Sequence, residues 1–342
     1  MRKLACVKRI TQIRSIQKAD SIECAIIDGG WPVVILKGSF SVGDLVIYFE
    51  IDSWIPHELA PFLSKSGEQK EYQGIIGNRL DTVKLRGQIS QGLVLPCLPL
   101  LADYPIPFEH GTDCTSYLHI NKWEDSDAVL DDSIKGKVPN FIFKTKQERC
   151  QNLVDELFSS KDTTTNMYET TIKLDGSSMT VYYYNGEIGV CSHQCELHET
   201  DVSIFWKVAH DQGIITALKH YGKNIAVQGE LIGEGVRGNK EKIKGNSFHI
   251  FDIQDINERQ YCLPSERNRI VCELESLGAH LNHVPVISDS IDFSTFKSVD
   301  DLLIYADGKS LNPTTTREGV VFKHLTNGLS FKVISNKFLI NK

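Results

Sequence analysis

Apolar positions in the first hundred residues fall in short runs rather than in helical stripes. Glu23–Ile27, Pro32–Leu36 and Asp44–Glu50 are rich in β-branched and aromatic residues, and glycine turns at Asp28-Gly-Gly and Val42-Gly-Asp separate them. A further run, Leu80–Leu85, leads through Arg86–Gly92 into Leu93–Leu95. About five strands in that length suit a small closed barrel, and an oligonucleotide-binding (OB) type of barrel is one candidate. From Asn140 onward the pattern mixes periods. Gln147–Phe158 has helical spacing, with Leu153, Val154, Leu157 and Phe158 on one side. Strands are expected at Glu169–Leu174, Met179–Tyr184 and Glu187–Cys191, with Asn185-Gly186 as a hairpin turn. Val202–Lys219 and Ser265–Leu277 read as helices. Ile225–Ile232, Ser247–Ile253, Arg317–Lys323 and Leu329–Ile334 read as strands. The expected class is α+β: an OB-like barrel, then a domain of antiparallel sheets with flanking helices.

Composition narrows the class without naming a function. The chain has 342 residues, enough for two domains. Its 41% hydrophobic and 24% charged content excludes a disordered or fibrous chain. No apolar run reaches the ~18 residues of a membrane span. Nine cysteines at irregular spacing in a chain this long point to free thiols in a reducing compartment. With charges running through MRKLACVKRI, where a signal peptide would be apolar, the expected location is cytoplasmic.

The net charge of −7 argues at first against a polyanionic partner. Its distribution removes that objection. Residues 1–100 hold 12 Lys and Arg against 10 Asp and Glu, whereas residues 101–140 hold 3 against 8. The acidic stretch around Trp123–Asp132 reads as a solvated linker. The expected division is therefore a barrel over 1–105, an acidic linker over 106–139 and a second domain over 140–342. In the barrel, Lys84 and Arg86 sit on a strand face that could be merely solvated or could meet phosphate.

Candidate chemistry centres on Thr171-Ile-Lys173-Leu-Asp175-Gly-Ser-Ser178, between two strand patterns. A lysine attacks only as the free amine, so a catalytic one needs its pKa depressed. Taken alone, Lys-x-Asp-Gly is more often an exposed strand lysine before a turn, since four-residue matches occur by chance. Three further pieces accompany it on expected strands: Gln228-Gly-Glu230, Glu318-Gly-Val-Val-Phe-Lys323 and Ser330-Phe-Lys332.

As a set these resemble the nucleotidyltransferase motifs of covalent ligases and capping enzymes. Lys173-Leu-Asp-Gly corresponds to the motif with the AMP-accepting lysine, Glu230 and Glu318 to the two acidic motifs, Phe248-His-Ile-Phe251 to the aromatic strand, and Lys332 to the last lysine motif. Val42–Asp52, Lys84–Gly92, Lys144-Thr145 and Glu148-Arg149-Cys-Gln-Asn152 are similar to segments of the ATP-dependent RNA ligases of the Deinococcus and Naegleria type. In that family an OB domain precedes the nucleotidyltransferase domain. There are departures. Ile172 stands where many members have Glu, Ser192-His193-Gln194 replaces a triplet that often carries Arg, and Lys332-Val-Ile334 replaces a Lys-x-Lys pair.

The resemblance implies an RNA ligase that joins 3′-OH and 5′-phosphate ends through lysyl-AMP and adenylylated RNA, acting as a monomer on nicked duplexes. ATP and Mg²⁺ are the implied cofactors, with Mn²⁺ as an alternative metal. Lys173 would be the nucleophile. Arg149, Ile172, Asp175, Glu230, Phe248 (stacking on adenine), Glu318, Lys323 and Lys332 would bind ATP, with Lys332 and Lys323 depressing the Lys173 pKa. Asp175, Glu230 and Glu318 would hold the metal, and His193, Lys84 and Arg86 would meet RNA. Competing classes are a DNA ligase, an mRNA capping guanylyltransferase and a non-catalytic RNA-binding protein. A zinc site at Cys191, His193, Cys195 and His198 is disfavoured by spacing.

Overall fold

The computed structural model describes residues 3–64, 70–102, 104, 106, 107, 109–124, 133–159 and 166–340. The chain forms two compact units, Met1–Ser126 with Ile340–Lys342, and Asp127–Leu339. No helix among the described residues is long and apolar enough to cross a membrane.

The first unit is built of strands. In order they are β1 (Ala5–Ser15), β2 (Ile22–Ile27), β3 (Trp31–Leu36), β4 (Leu45–Phe49), β5 (Ser53–Pro56), β6 (Lys70–Tyr72), β7 (Ile75–Arg79), β8 (Val83–Leu85), β9 (Gln88–Ser90), β10 (Leu93–Pro96) and β11 (Asn121–Lys122). One sheet runs β10-β4-β1-β2-β3 and a second β11-β5-β7-β6, while β8 and β9 form a hairpin. Alternation along β4 shows how the barrel is filled. Ile47 and Phe49 enter one core with Leu4, Val7 and Ile55, and Val46 and Tyr48 enter the other with Ile10, Trp31 and Val33.

Two expectations change here. The run Leu80–Leu85 is not one strand: β7 ends at Arg79 and β8 begins at Val83. The stretch expected as a linker over 106–139 is structured at both ends. Cys114, Leu118 and Ile120 are buried in the first unit's core, and Asn121–Lys122 pairs with Ser53–Trp54. Ile134–Lys137 joins a sheet of the second unit. The surplus of acids concealed a few apolar residues that anchor the segment. Residues 125–132, the most acidic part, lie outside the described residues.

The second unit carries β12 (Ile134–Lys137), β13 (Glu148–Arg149), β14 (Met167–Lys173), β15 (Ser177–Tyr184), β16 (Glu187–Cys191), β17 (Cys195–Leu197), β18 (Ile225–Gly233), β19 (Asn246–Asp255), β20 (Gln260–Tyr261), β21 (Asn282–His283), β22 (Val286–Asp292), β23 (Gly319–His324) and β24 (Ser330–Ile334). The larger sheet runs β12-β17-β16-β15-β18-β19-β20, with β21 also on β19, and the smaller β13-β24-β23-β14-β22. Asn185 and Gly186 turn the β15–β16 hairpin with φ of 50° and 91°, as their sequence indicated.

Two helical expectations are corrected. Val202–Lys219 is split into helices Ile204–Asp211 and Ile214–Tyr221, because Gly213 adopts φ +68° and a Cβ there would lie 2.5 Å from the Gly278 carbonyl oxygen. Gln147–Phe158 starts not as helix but as β13, which pairs in parallel with β24, and is followed by a 3-10 turn at Cys150–Asn152 and a short α-helix at Val154–Ser159. Pairing at the sheet edge overrides the local helical pattern.

The two sheets of this unit are tied by buried charge. Glu169 of β14 accepts two bonds from Arg267 on the helix Pro264–Ser276, at 2.6 and 3.0 Å, with both side chains under 4% exposed. Arg267 and Lys323 both donate to the Phe251 carbonyl oxygen, at 3.4 and 2.6 Å, and Lys323 also pairs with Asp252. Breaking one partner of such a pair leaves an uncompensated buried charge. Glu169→Ala is therefore expected to cost about 3–5 kcal/mol, read as a lower urea midpoint with an unchanged slope. An unshifted midpoint would show that the pair does not hold the sheets.

Candidate active site

Lys173 ends β14, and its position is set by pairing with Gly319 on β23. Gly319 is required by close approach, since a Cβ there would lie 2.1 Å from the Val333 carbonyl oxygen. Glu318, the residue before it, is thereby brought to the lysine, and Lys173 Nζ donates to Glu318 Oε2 at 2.7 Å. The turn after Lys173 leads into β15, which pairs with β18 so that Ser178 lies opposite Glu230. Glu230 Oε1 accepts from the Gly176 backbone N–H at 2.8 Å. A Cβ on Gly176 would fall 2.2 Å from the Leu231 carbonyl oxygen, so this turn fits only glycine. Asp175 in the same turn pairs with Lys240. Thr145 and Ser178 share a hydroxyl–hydroxyl bond of 2.7 Å beside it.

The sheet register sorts the remaining candidates. Val320, Phe322, Phe331 and Val333 point into a core on one face of the smaller sheet. Lys173, Gly319, Val321, Lys323 and Lys332 alternate onto the other. Arg149 pairs with Lys332, and Lys332 with Val321, so Arg149 and Lys332 share that face two residues along from the level of Lys173. Lys323 is placed differently from the expectation. It lies four residues from Gly319, about 13 Å along the strand from the level of Lys173, and is committed to Asp252 and the Phe251 carbonyl. These bonds join β23 of the smaller sheet to β19 of the larger.

Phe248 is also corrected. It is fully buried in the core between the larger sheet and the helices Ile204–Asp211 and Ile214–Tyr221, with its backbone held by Gln212. The aromatic side chain on the Lys173 side is Phe251. Its half-buried ring packs with Ile172, Leu174 and Ile232, and the Lys323 ammonium lies 5.9 Å from its centroid. Alternation along β19 puts Phe248 and Ile250 in that core and Phe251 on the opposite side, at the register shift between Gln228 and Gly229. Ile172 itself is fixed by its backbone N–H to the Pro285 carbonyl. His193 occupies the β16–β17 turn. Continuing the Thr180–Cys191 register by two residues brings it level with Ser178. Lys84 and Arg86 lie in the exposed β8–β9 hairpin of the first unit, with Arg86 in its turn at φ 50°.

The electrostatics reverse one expectation. Burial alone would lower the Lys173 pKa, but Glu318 and Glu230, with Asp175, outweigh it and hold the pKa above the ordinary lysine value. The lysine is stored as an ammonium, not as a free amine. Burial, reinforced by Glu318 and opposed by Lys173, pushes the Glu230 carboxyl up to about 7. Among the described residues no three Asp, Glu, His or Cys side chains converge into a ready metal cage. Asp175, Glu230 and Glu318 are instead spread around one lysine, each already bonded.

A barrel followed by a two-sheet unit, with a lysine set among carboxylates where two strands end, defines the class of covalent nucleotidyltransferases. Family models agree with both parts. An OB-fold domain model matches residues 4–97 and an RNA ligase model residues 167–334. Among solved structures, a Naegleria gruberi RNA ligase mutant with AMP and Mn is 42% identical, with a TM-score of 0.88, covering 99% of this chain and 98% of that one. A second mutant with ATP and Mn matches at 42% identity and 0.88, covering 98% of each chain. The same enzyme with PPi matches at 42% and 0.87, over 99% and 98%. No curated protein sequence matches. The chain belongs to the RNA ligase family and is an enzyme of that class.

The raised Glu230 pKa carries a test. As a carboxylic acid it cannot serve a cation, and above about pH 7 it is charged. Divalent-cation affinity, measured by titration calorimetry, should rise across about one unit on either side of that value and level off above it. For a carboxyl whose folded pKa is raised, the associated stability is fully present below the ordinary value of 4.5 and is lost as pH rises from there to about 7. A cation affinity that is flat across this range would show that Glu230 is not a ligand.

Proposed function

We propose that the chain seals 3′-OH/5′-phosphate nicks in duplex RNA, using ATP and a divalent cation, through lysyl-AMP and adenylylated RNA. The observation that carries this reading is the Lys173–Glu318 pair at 2.7 Å, with Glu230 beside it. A lysine held charged by acids is inert at rest and becomes a nucleophile only when a ligand takes the acids away.

The donor set fits Mg²⁺ or Mn²⁺. Such an ion keeps several waters and is bound by one or two carboxylates together with substrate phosphates, which is why no preformed cage is needed. Glu230 and Glu318 are the residues that would hold it, and when bound it would neutralise phosphate charge. Phe251 would stack on adenine beside Ile172. Arg149, with a planar fork suited to two oxygens, and Lys332 would bind the triphosphate from the face they share.

In the first step Lys173 Nζ, having lost its proton to water, forms a bond to the α-phosphorus of ATP. The bond from that phosphorus to the bridging β-phosphate oxygen breaks, and pyrophosphate leaves with the electron pair. The AMP next passes to a 5′-phosphate end, which restores the lysine amine. The 3′-hydroxyl then attacks that 5′-phosphorus, AMP departs and a phosphodiester remains. Each step rests on alignment and charge neutralisation rather than on a general base of matched pKa. The OB-type unit, with Lys84 and Arg86 on its exposed hairpin, would hold the duplex, and the working unit is a monomer.

Incubation with α-labelled ATP and Mg²⁺ should give a covalent, acid-labile adduct that Lys173→Ala abolishes. A chase with nicked RNA should transfer the label and seal the nick, and nicked DNA should be sealed poorly. An adduct that persists in Lys173→Ala would remove the nucleophile, and equal sealing of both polymers would remove the RNA preference.

A further inference from the structure

We propose that Lys240, on the loop between Gly233 and Gly245, is a further substrate-binding residue that takes phosphate oxygens at the nucleophile. The inference rests on the ligase reading above and assigns a function to a residue outside every motif of the sequence analysis.

Lys240 reaches the reaction centre from a different part of the chain. Its ammonium pairs with Asp175, two residues after the nucleophile, and Asp175 itself acts electrostatically on Lys173. The same ammonium lies 4.9 Å from the centroid of the Phe338 ring, an additional and weaker contact. The level of the smaller sheet that holds Lys173 runs Lys173–Gly319–Ile334 and carries no second cation of its own. Lys240 supplies one from the side.

The loop is built to present this residue. Four glycines turn the loop, and Arg237 and Lys242 also adopt positive φ (40° and 53°), a conformation that costs a non-glycine residue and needs the surrounding structure to hold it. Glu241, 5% exposed, provides the anchor: its carboxylate accepts from the Ser310 hydroxyl and from the Asn312 backbone N–H at 2.7 Å. Thr315 donates to the Lys240 carbonyl at 3.0 Å. The backbone of Lys240 is thus fixed while its side chain stays 35% exposed. A surface ion pair gains little from such fixing, whereas a ligand contact needs its cation presented in one place.

Charge completes the case. Two ammonium groups, Lys173 and Lys240, face three acids, Asp175, Glu230 and Glu318. An incoming phosphate competes for Lys240 with Asp175 and gains a charge-assisted bond. The phosphate could be the departing pyrophosphate of ATP or the 5′-phosphate of RNA, which share one chemistry.

The test compares Lys240→Ala and Lys240→Arg with wild type in two assays: lysyl-AMP formation from ATP, and sealing of chemically pre-adenylylated nicked RNA. We expect Lys240→Ala to slow one of them at least about tenfold, with Lys240→Arg close to wild type and thermal unfolding unchanged. Loss confined to the first assay identifies the triphosphate as the ligand, and loss confined to the second identifies the RNA 5′-phosphate. No loss in either assay, or equal loss in both variants with a lowered unfolding temperature, overturns the assignment. Wild type that forms no lysyl-AMP would bring down the ligase reading itself. An active wild type beside a fully active Lys240→Ala removes only Lys240.

Discussion

The Lys173 ammonium, set among three carboxylates, is the constraint around which the second unit is arranged. Lys173 and Glu318 come from adjacent strands of one sheet, while Glu230 belongs to the other. Burial, with a smaller contribution from Glu318, raises the Glu230 pKa, and Lys173 opposes that rise. The lysine is what allows them to lie together. The same arrangement favours the protonated form of Lys173. On the proposed reading, the lysine becomes a nucleophile only once ligands redistribute that charge.

Holding such a cluster requires the two sheets to keep their separation. The buried network of Glu169, Arg267, Lys323 and Asp252 does this from the far end of β14 and β23. It grips the Phe251 carbonyl from two directions and thereby sets where that ring lies. Structural charge and chemical charge are separated along the same two strands: Glu169 and Lys323 at one end, Lys173 and Glu318 at the other. Burial lowers the Lys323 pKa against the opposing effect of Asp252, and its ammonium is bonded to Asp252 and to the Phe251 carbonyl.

Much of this was legible in the sequence, for identifiable reasons. The strands that carry Lys173, Glu230, Glu318 and Lys332 are short, β-branched and bounded by turns, so period and punctuation located them. The motif spacing then connected them. Facing was harder. Phe248 and Phe251 both sit in an aromatic strand on opposite faces, and which face meets the helices and which meets Lys173 is decided by tertiary packing that no local pattern encodes. Lys323 reads as a phosphate lysine by its position in a motif, but its partner Asp252 is 71 residues away in the chain. The sign of the Lys173 shift likewise depends on three acids meeting in space. Lys240 escaped notice because the loop that positions it is irregular, and the anchoring carboxylate of Glu241 finds its partners only through the fold.

The protonation state of Lys173 at rest is the point on which everything else turns. It can be measured without turnover, by competitive acylation of the free protein at neutral pH with each lysine quantified by mass spectrometry. If the carboxylates hold Lys173 as an ammonium, it should react more slowly than exposed lysines, and Glu318→Gln should speed its labelling. A Lys173 that is hyper-reactive in the wild-type protein, or indifferent to the loss of the Glu318 charge, would contradict the stored-ammonium account.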